Sequence, residues 1–308
     1  MVAQRITFIG LGIMGAPMAR RLVAAGHDVT VCDTSTEVLA EFRRSGVATH
    51  ASPGVAAKGA NVVFTMLPTS AIVREVLFGE GGAAQVAADK AIFVDMSTGS
   101  LDACMEIGRA LSTLGKSLID APVGRSRREA DTGELLAMVG GQDADVAAVR
   151  PLLSCMASDI VHAGGPGKGL SLKLVNNYMA MVNHVLTAEV LALSMRAGLA
   201  LDQTVAVLGS TSAGKGQLLT NFPRKVLAGD VSPDFPIAMG IKDLNMALDL
   251  CGAVDGQGRF ARLARDIFQE ASDGGFASYD CTGVLHFLEG RRPCDPFTKN
   301  AATERVGQ

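Results

Sequence analysis

The sequence predicts a doubly wound α/β domain, then one long helix, then an all-α domain. Three observations carry this. The first half alternates continuous apolar runs with amphipathic helical stretches. The second half keeps helical spacing with no strand alternation, and a Gly/Pro-rich stretch at 162–169 separates the two. The length of 308 residues agrees, since a domain takes about 150.

In order, residues 6–9 read as a strand, 14–25 as a helix, 29–32 as a strand and 36–45 as a helix. Residues 62–66 and 92–96 are further apolar strands bounded by turn residues, and 117–119 and 137–139 are shorter ones. Continuous rather than alternating apolar strands suit a sheet covered on both faces. The βαβα order makes that sheet mainly parallel. Beyond the break, 170–197 reads as a helix of roughly 40 Å, ending before Gly198. It is apolar almost all round, so it is expected to be buried between partners. Residues 202–208, 221–227, 237–251 and 259–271 read as further helices, and no internal repeat or low-complexity tract is present.

Composition removes several function classes. The 28 Lys and Arg against 31 Asp and Glu give a net charge of −3, which is no footprint for nucleic acid or an anionic membrane. Hydrophobic residues make up 48%, enough for a sizeable core and against wholesale disorder. There is no Trp and there are two Tyr, but 35 Gly, which suits close backbone packing better than an aromatic recognition surface. Six scattered cysteines (Cys32, Cys104, Cys155, Cys251, Cys281 and Cys294) form no CxxC pair, and His is sparse. No metal site is therefore expected, and the thiols read as free in a reducing compartment. The N-terminus enters Arg5-Ile6-Thr7-Phe8-Ile9-Gly10 without a signal-peptide pattern. No uninterrupted apolar run reaches membrane-spanning length. The reading is a soluble cytoplasmic protein. His27 and His50 are expected in turns, His184 as a packed helix residue, and the methionines as core filler.

Gly10-Leu-Gly12-Ile13-Met14-Gly15 is a G-x-G-x-x-G turn that follows a strand and opens a helix. That is the context for pyrophosphate binding at a helix N-terminus. Asp33 closes the second strand eighteen residues after Gly15. A carboxylate there accepts hydrogen bonds from an adenosine ribose and repels a 2′-phosphate, so NAD(H) is favoured over NADP(H). Leu67 and Pro68 end the 62–66 strand, and Ser97 and Thr98 end the 92–96 strand, where the ligand crevice of such sheets lies. A second reading has Ser97 and Thr98 capping the next helix. This gives a Rossmann domain at 1–163, an interdomain helix at 164–197 and an all-α domain at 198–308, with a loose tail from about 291.

Lys173 lies near the start of the long helix, with Asn176 and Asn177 at i+3 and i+4 beside it. An ammonium with two carboxamides can polarise a carbonyl and hold an anion, and a partly dry lysine can act as general acid or base. A capping or surface lysine fits the spacing equally well. The chain, however, resembles the β-hydroxyacid dehydrogenase (3-hydroxyisobutyrate dehydrogenase-like) family over nearly its whole length. The matching segments are Gly10-Leu-Gly-Ile-Met-Gly-Ala-Pro-Met-Ala19, Thr65-Met-Leu-Pro68, Asp95-Met-Ser-Thr98, Asp120-Ala-Pro-Val123, Gly167-Lys-Gly-Leu-Ser-Leu-Lys173-Leu-Val-Asn-Asn177 and Lys242-Asp-Leu244. The resemblance implies hydride transfer with NAD, with Lys173 as general acid/base and Asn176 and Asn177 fixing Lys173 and substrate. It implies backbone contacts to the pyrophosphate from Ile13 and Met14, with Asp33 on the ribose. Leu67 would line the cofactor site, Thr98 would lie near the nicotinamide, and Lys242 would close over the cofactor. It also implies a homodimer or homotetramer.

One segment departs from the family. Most members follow Asp-Ala-Pro-Val with Ser-Gly-Gly, a small loop that holds a substrate carboxylate, whereas this chain has Gly124-Arg125-Ser126. An arginine fork with permanent charge suits a bulkier three-oxygen sulfonate. Alternatively, Arg125 belongs to the solvated charge run 125–129. Pro122-Val-Gly-Arg125, His162-Ala-Gly-Gly-Pro-Gly167, Leu174-Val-Asn-Asn-Tyr-Met179 and Thr211-Ser-Ala-Gly-Lys-Gly216 resemble the 3-sulfolactaldehyde reductase branch. That branch tends to carry Ser where this chain has Ala180; Lys215 is a candidate supplementary cation. The resemblance thus implies NADH-dependent reduction of 3-sulfolactaldehyde to 2,3-dihydroxypropane-1-sulfonate. The alternatives are the same chemistry on a short carboxylate (succinic semialdehyde, methylmalonate semialdehyde or tartronate semialdehyde) and a non-catalytic NAD-binding module.

Overall fold

The computed structural model describes residues 4–293. Cys294 and most of the expected tail lie outside the described residues. The chain divides after Met179 into two compact units.

The first unit begins β1 Arg5–Ile9, α1 Gly15–Ala24, β2 Asp28–Cys32, α2 Thr36–Arg44, β3 Ala48–His50, α3 Pro53–Ala56, β4 Val62–Thr65 and α4 Ser70–Phe78. It continues β5 Ile92–Asp95, α5 Leu101–Thr113, β6 Ser117–Asp120, β7 Val123–Gly124, α6 Arg127–Thr132, β8 Leu135–Gly140, α7 Asp143–Leu153 and β9 Ala157–Gly164. The strands form one sheet in the order β3-β2-β1-β4-β5-β6-β8-β7, with β9 on the other edge of β8. β1 to β6 are parallel and in register, with Ile9 beside Cys32 and Thr65, and Asp95 beside Asp120. The reversal of strand order between β1 and β4 opens a ligand crevice at their carboxyl ends.

Both sheet faces are covered. On one, Phe8 and Phe64 stack at 5.8 Å between ring centroids, packed with Met18, Leu22 and Ile119. On the other, Ile9, Val63 and Phe93 meet Val73 and Leu77 of α4 and Ile107 and Leu111 of α5. Each such side chain contributes about 1.5–3 kcal/mol by leaving water, which is why these strands read as unbroken apolar runs.

Three strands escape the sequence pattern. β3 and β7 have three and two residues, too short for periodicity. β9 runs into the Gly/Pro-rich stretch, so the expected break at 162–169 is in part strand. His50 accordingly lies in β3, not in a turn.

Helix α8, Lys168–Arg196, crosses from the first unit into the second. Its length and apolar composition would suffice for a membrane crossing. No unbroken apolar run marks it, because Lys173, Asn176, Asn177, Asn183, His184 and Glu189 interrupt it. Burial of this helix is not met within one chain: Val175, Tyr178, Met181 and Val185 are 66, 76, 58 and 57% exposed. His184 is likewise exposed rather than packed, and its Nδ1 donates to Ala180 O at 2.7 Å. The methionines divide in the same way. Met18, Met96, Met138 and Met156 are buried, but Met181, Met195 and Met246 are not.

The second unit contains α9 Leu201–Ser210, α10 Ser212–Lys215, α11 Asn221–Arg224, α12 Ile237–Ala253, α13 Arg259–Ala271 and α14 Val284–Leu288, with short tight turns between them. Its small core gathers Ile237, Ala271 and Phe276 with Phe268, Tyr279 and Phe287. The Glu189 carboxylate of α8 caps α13 by accepting the Arg259 and Phe260 N–H groups, both at 3.0 Å. Lys225 is buried and pairs with Asp230 and Asp234, both at 3.0 Å, which fixes the loop leading into α12.

Candidate active site

The turn between β1 and α1 is built by its glycines. Gly10 has φ +97°, and a Cβ there would stand 2.3 Å from Met66 O. At Gly15 a Cβ would stand 1.9 Å from Gly10 O, so the helix approaches the strand only without one. At Gly12 a Cβ would meet nothing within 4 Å; its face is open. No acidic residue occupies the first turn of α1 and no side chain caps it, so its N–H groups and positive partial charge face the crevice.

These residues line a cleft of about 620 Å³. The cleft gathers Gly10, Gly12, Ile13, Met14, Gly15, Asp33, Leu67 and Pro68. Pro53, Ile72 and Val76 complete it with an apolar wall. No sequence motif marks those three, because the crossovers through α3 and α4 bring them in. Open phosphate-facing backbone, a carboxylate at the β2 end and an apolar wall for a flat ring fit a dinucleotide.

Asp33 is tied at both oxygens. Oδ2 accepts Leu11 N–H at 2.6 Å and Oδ1 accepts Ser35 N–H at 2.8 Å. Each carboxylate oxygen takes a second donor, so ribose hydroxyls can still bind. Residues 34–36 are Thr, Ser and Thr, and offer no cation for a 2′-phosphate.

A partly buried network ties the loops after β4 and β5. Thr65 Oγ1 donates to Asp95 Oδ1 at 2.9 Å, Ser97 N–H donates to the same oxygen at 3.0 Å, and Leu67 N–H donates to Ser97 Oγ at 2.9 Å. Ser97 is buried and secures Leu67, while Thr98 is exposed. Neither caps the next helix: Ser100 does, accepting Ala103 N–H at 3.2 Å.

The Asp120 carboxylate, buried at the end of β6, seats the start of α8. It accepts Gly167 N–H and Leu170 N–H, each at 2.7 Å. Gly169 leaves no room for a Cβ, which would lie 2.3 Å from Met138 O. Burial raises the Asp95 and Asp120 carboxyls above the usual range. Lys173 follows one turn beyond Leu170. It is half-buried, its ammonium makes no hydrogen bond or ion pair among the described residues, and burial lowers its pKa from 10.5. Asn176 Nδ2 donates to Asn177 Oδ1 at 3.2 Å, and Ala180 follows a turn later, across the boundary into the second unit. Lys242 is also in the second unit, exposed and 3.2 Å from Asp243.

Gly124 ends β7, buried, and Arg125 follows with φ +75°, a conformation costing a non-glycine residue about 1–3 kcal/mol. The guanidinium reaches across the start of β8. Nη1 donates to Glu134 O, and to Ser158 Oγ at 2.8 Å; Nη2 pairs with Asp159 at 2.5 Å. Ser126 is the N-cap of α6, and its N–H and Oγ both donate to Glu129 Oε2, at 3.0 and 2.6 Å.

Two family models cover almost the whole chain. Residues 5–165 match the NAD-binding domain of 6-phosphogluconate dehydrogenase. Residues 167–288 match the NAD-binding domain of NADP-dependent 3-hydroxyisobutyrate dehydrogenase. The chain is 38% identical to the 3-sulfolactaldehyde reductase of Escherichia coli K12, over 91% of this chain and 94% of that one. It is 33% identical to a probable 3-hydroxyisobutyrate dehydrogenase of Mycobacterium tuberculosis, over 93 and 98%. Among solved structures, the M. tuberculosis 3-hydroxyisobutyrate dehydrogenase with L-serine matches with a TM-score of 0.65 and 31% identity, over 93 and 99%.

Proposed function

Because the chain belongs to the 3-hydroxyisobutyrate dehydrogenase-like β-hydroxyacid dehydrogenase family, we propose that it reduces 3-sulfolactaldehyde to 2,3-dihydroxypropane-1-sulfonate with NADH. The observation that carries this reading is Arg125, in the substrate loop of a chain 38% identical to a 3-sulfolactaldehyde reductase. When bound, the nicotinamide supplies a hydride to the aldehyde carbon. Lys173, held by the seated start of α8, donates its proton to the developing alkoxide oxygen. Asn176 and Asn177 orient the ammonium and the substrate. Arg125, Gly124 and Ser126 form the loop that takes the sulfonate. Gly10, Gly12, Ile13, Met14 and Gly15 hold the pyrophosphate. Asp33 takes the ribose, and Leu67, Pro68 and Thr98 flank the cofactor.

The test is NADH consumption with 3-sulfolactaldehyde and succinic semialdehyde side by side. We expect a kcat/KM at least about 100-fold higher for the sulfonate, or about 2.7 kcal/mol. Equal or reversed preference moves the substrate to the carboxylates that other family members use.

The exposed apolar side chains of α8 support assembly of the chain as a homo-oligomer, since exposed patches of this kind mark interaction surfaces. Light scattering is expected to give at least twice the chain mass of 31.9 kDa. A monomer at micromolar concentration overturns this.

A further inference from the structure

The guanidinium of Arg125 is gripped at its two terminal nitrogens. Its Nη1 and Nη2 donate to Glu134 O, Ser158 Oγ and Asp159 Oδ2. Nε donates to no acceptor among the described residues. A guanidinium has two forks: the terminal one between Nη1 and Nη2, and a lateral one made of Nε–H and the outer Nη2–H. With Nη1 donating twice and Nη2 once, Nε–H and one Nη2–H remain of the five donors, and a lateral pair of this kind matches two oxygens of a carboxylate or sulfonate. The acceptors also support one another. Ser158 Oγ donates to Asp159 Oδ2 at 2.9 Å, so hydroxyl and carboxylate form a fixed pair spaced to receive the fork. Ser158 and Asp159 lie on β9, and Glu134 directly precedes β8. β8 and β9 are paired strands with a register shift at Ser158, so the two side-chain acceptors are carried by a strand and the carbonyl by the residue that leads into its neighbour.

The backbone makes such a grip necessary. Arg125 holds φ +75° in a loop between β7 and α6. A long side chain on a left-handed residue would otherwise sample many rotamers, and freezing them on substrate binding would weaken binding.

We propose that Asp159, with Ser158, is a specificity-determining positioning residue. It holds Arg125 by its terminal fork so that the lateral fork is presented, already oriented, to the anionic group of the substrate. This rests on the reading of Arg125 as the anion anchor. It adds that selectivity for an anionic aldehyde is built from β9, 33 and 34 residues further along the chain than the anchor itself.

The test is steady-state kinetics of the full chain with 3-sulfolactaldehyde and with glyceraldehyde, which has a hydroxyl in place of the sulfonate. Four proteins are compared: unmodified, Arg125→Ala, Asp159→Asn and the double variant. Asp159 is half-exposed, so the conservative substitution is expected to leave the fold intact. For Asp159→Asn we expect KM for 3-sulfolactaldehyde to rise five- to tenfold with kcat within twofold, and kcat/KM for glyceraldehyde to stay unchanged. In the Arg125→Ala background the same substitution is expected to do nothing further. A merely structural role for Asp159 would lower kcat for both aldehydes and persist in the double variant, which overturns the proposal. So does an unchanged or lowered KM in Asp159→Asn when Arg125→Ala raises it; in the lowered case Asp159 would be a competitor for the guanidinium. If Arg125→Ala itself leaves KM unchanged, it is the anchor reading that fails.

Discussion

Replacing Lys173 by alanine is expected to lower kcat for aldehyde reduction by about a thousandfold, or roughly 4 kcal/mol of transition-state stabilisation. KM for the aldehyde should change little. The ammonium is poised but uncommitted, with no hydrogen bond or ion pair among the described residues. Its proton is therefore not shared with a competing acceptor. Burial disfavours the charged form, so its pKa lies below the ordinary 10.5. Reduction needs the ammonium, so kcat/KM for reduction falls as pH rises through this lowered pKa. Alcohol oxidation needs the free amine and rises over the same interval. Paired pH profiles in the two directions check this. Near-normal turnover in Lys173→Ala, or a basic limb that persists in that variant, would show that another group carries the proton.

The second large effect concerns the cofactor. NADH is expected to be used with a kcat/KM at least about 100-fold above that of NADPH, a difference of about 2.7 kcal/mol. The Asp33 carboxylate is anchored by Leu11 N–H and Ser35 N–H, so it cannot swing away from a 2′-phosphate. Thr34, Ser35 and Thr36 offer no compensating cation. Asp33→Asn keeps an acceptor oxygen but removes the charge. It should narrow the preference from both sides, by about tenfold poorer NADH use and by better NADPH use. Equal use of the two cofactors by the unmodified chain would falsify the assignment of Asp33.

What the sequence discloses and what it hides divide along contact distance. The strand, glycine turn and helix at the N-terminus are contiguous, so their chemistry is legible in the order of residues alone. The long helix and Lys173 are legible because helical spacing extends over many turns. The buried sheet is legible because each central strand loses its polar face. Asp120 is different. Its partners Gly167 and Leu170 are 47 and 50 residues away, and nothing local marks a carboxylate as the seat of a helix. Ser97 shows the same limit: its position at a strand end suggests ligand contact or capping, but its hydroxyl accepts from Leu67, 30 residues back. Arg125 is legible as a departure in a familiar loop, whereas Asp159 and Ser158 reach it only through the pairing of β8 and β9. The glycines and proline at the end of β9 disguise that strand.

The network of Thr65, Asp95, Ser97 and Leu67 also bears on the entropy of cofactor binding. A loop that orders only when its ligand arrives loses about 1–2 kcal/mol of affinity for each residue immobilised. Here the two loops after β4 and β5 are already joined to each other through partly buried hydrogen bonds, so that ordering occurs when the chain folds. The cleft therefore receives its cofactor as a preformed mould. Affinity at this end of the site is governed by the contacts the mould offers rather than by the disorder it must first suppress.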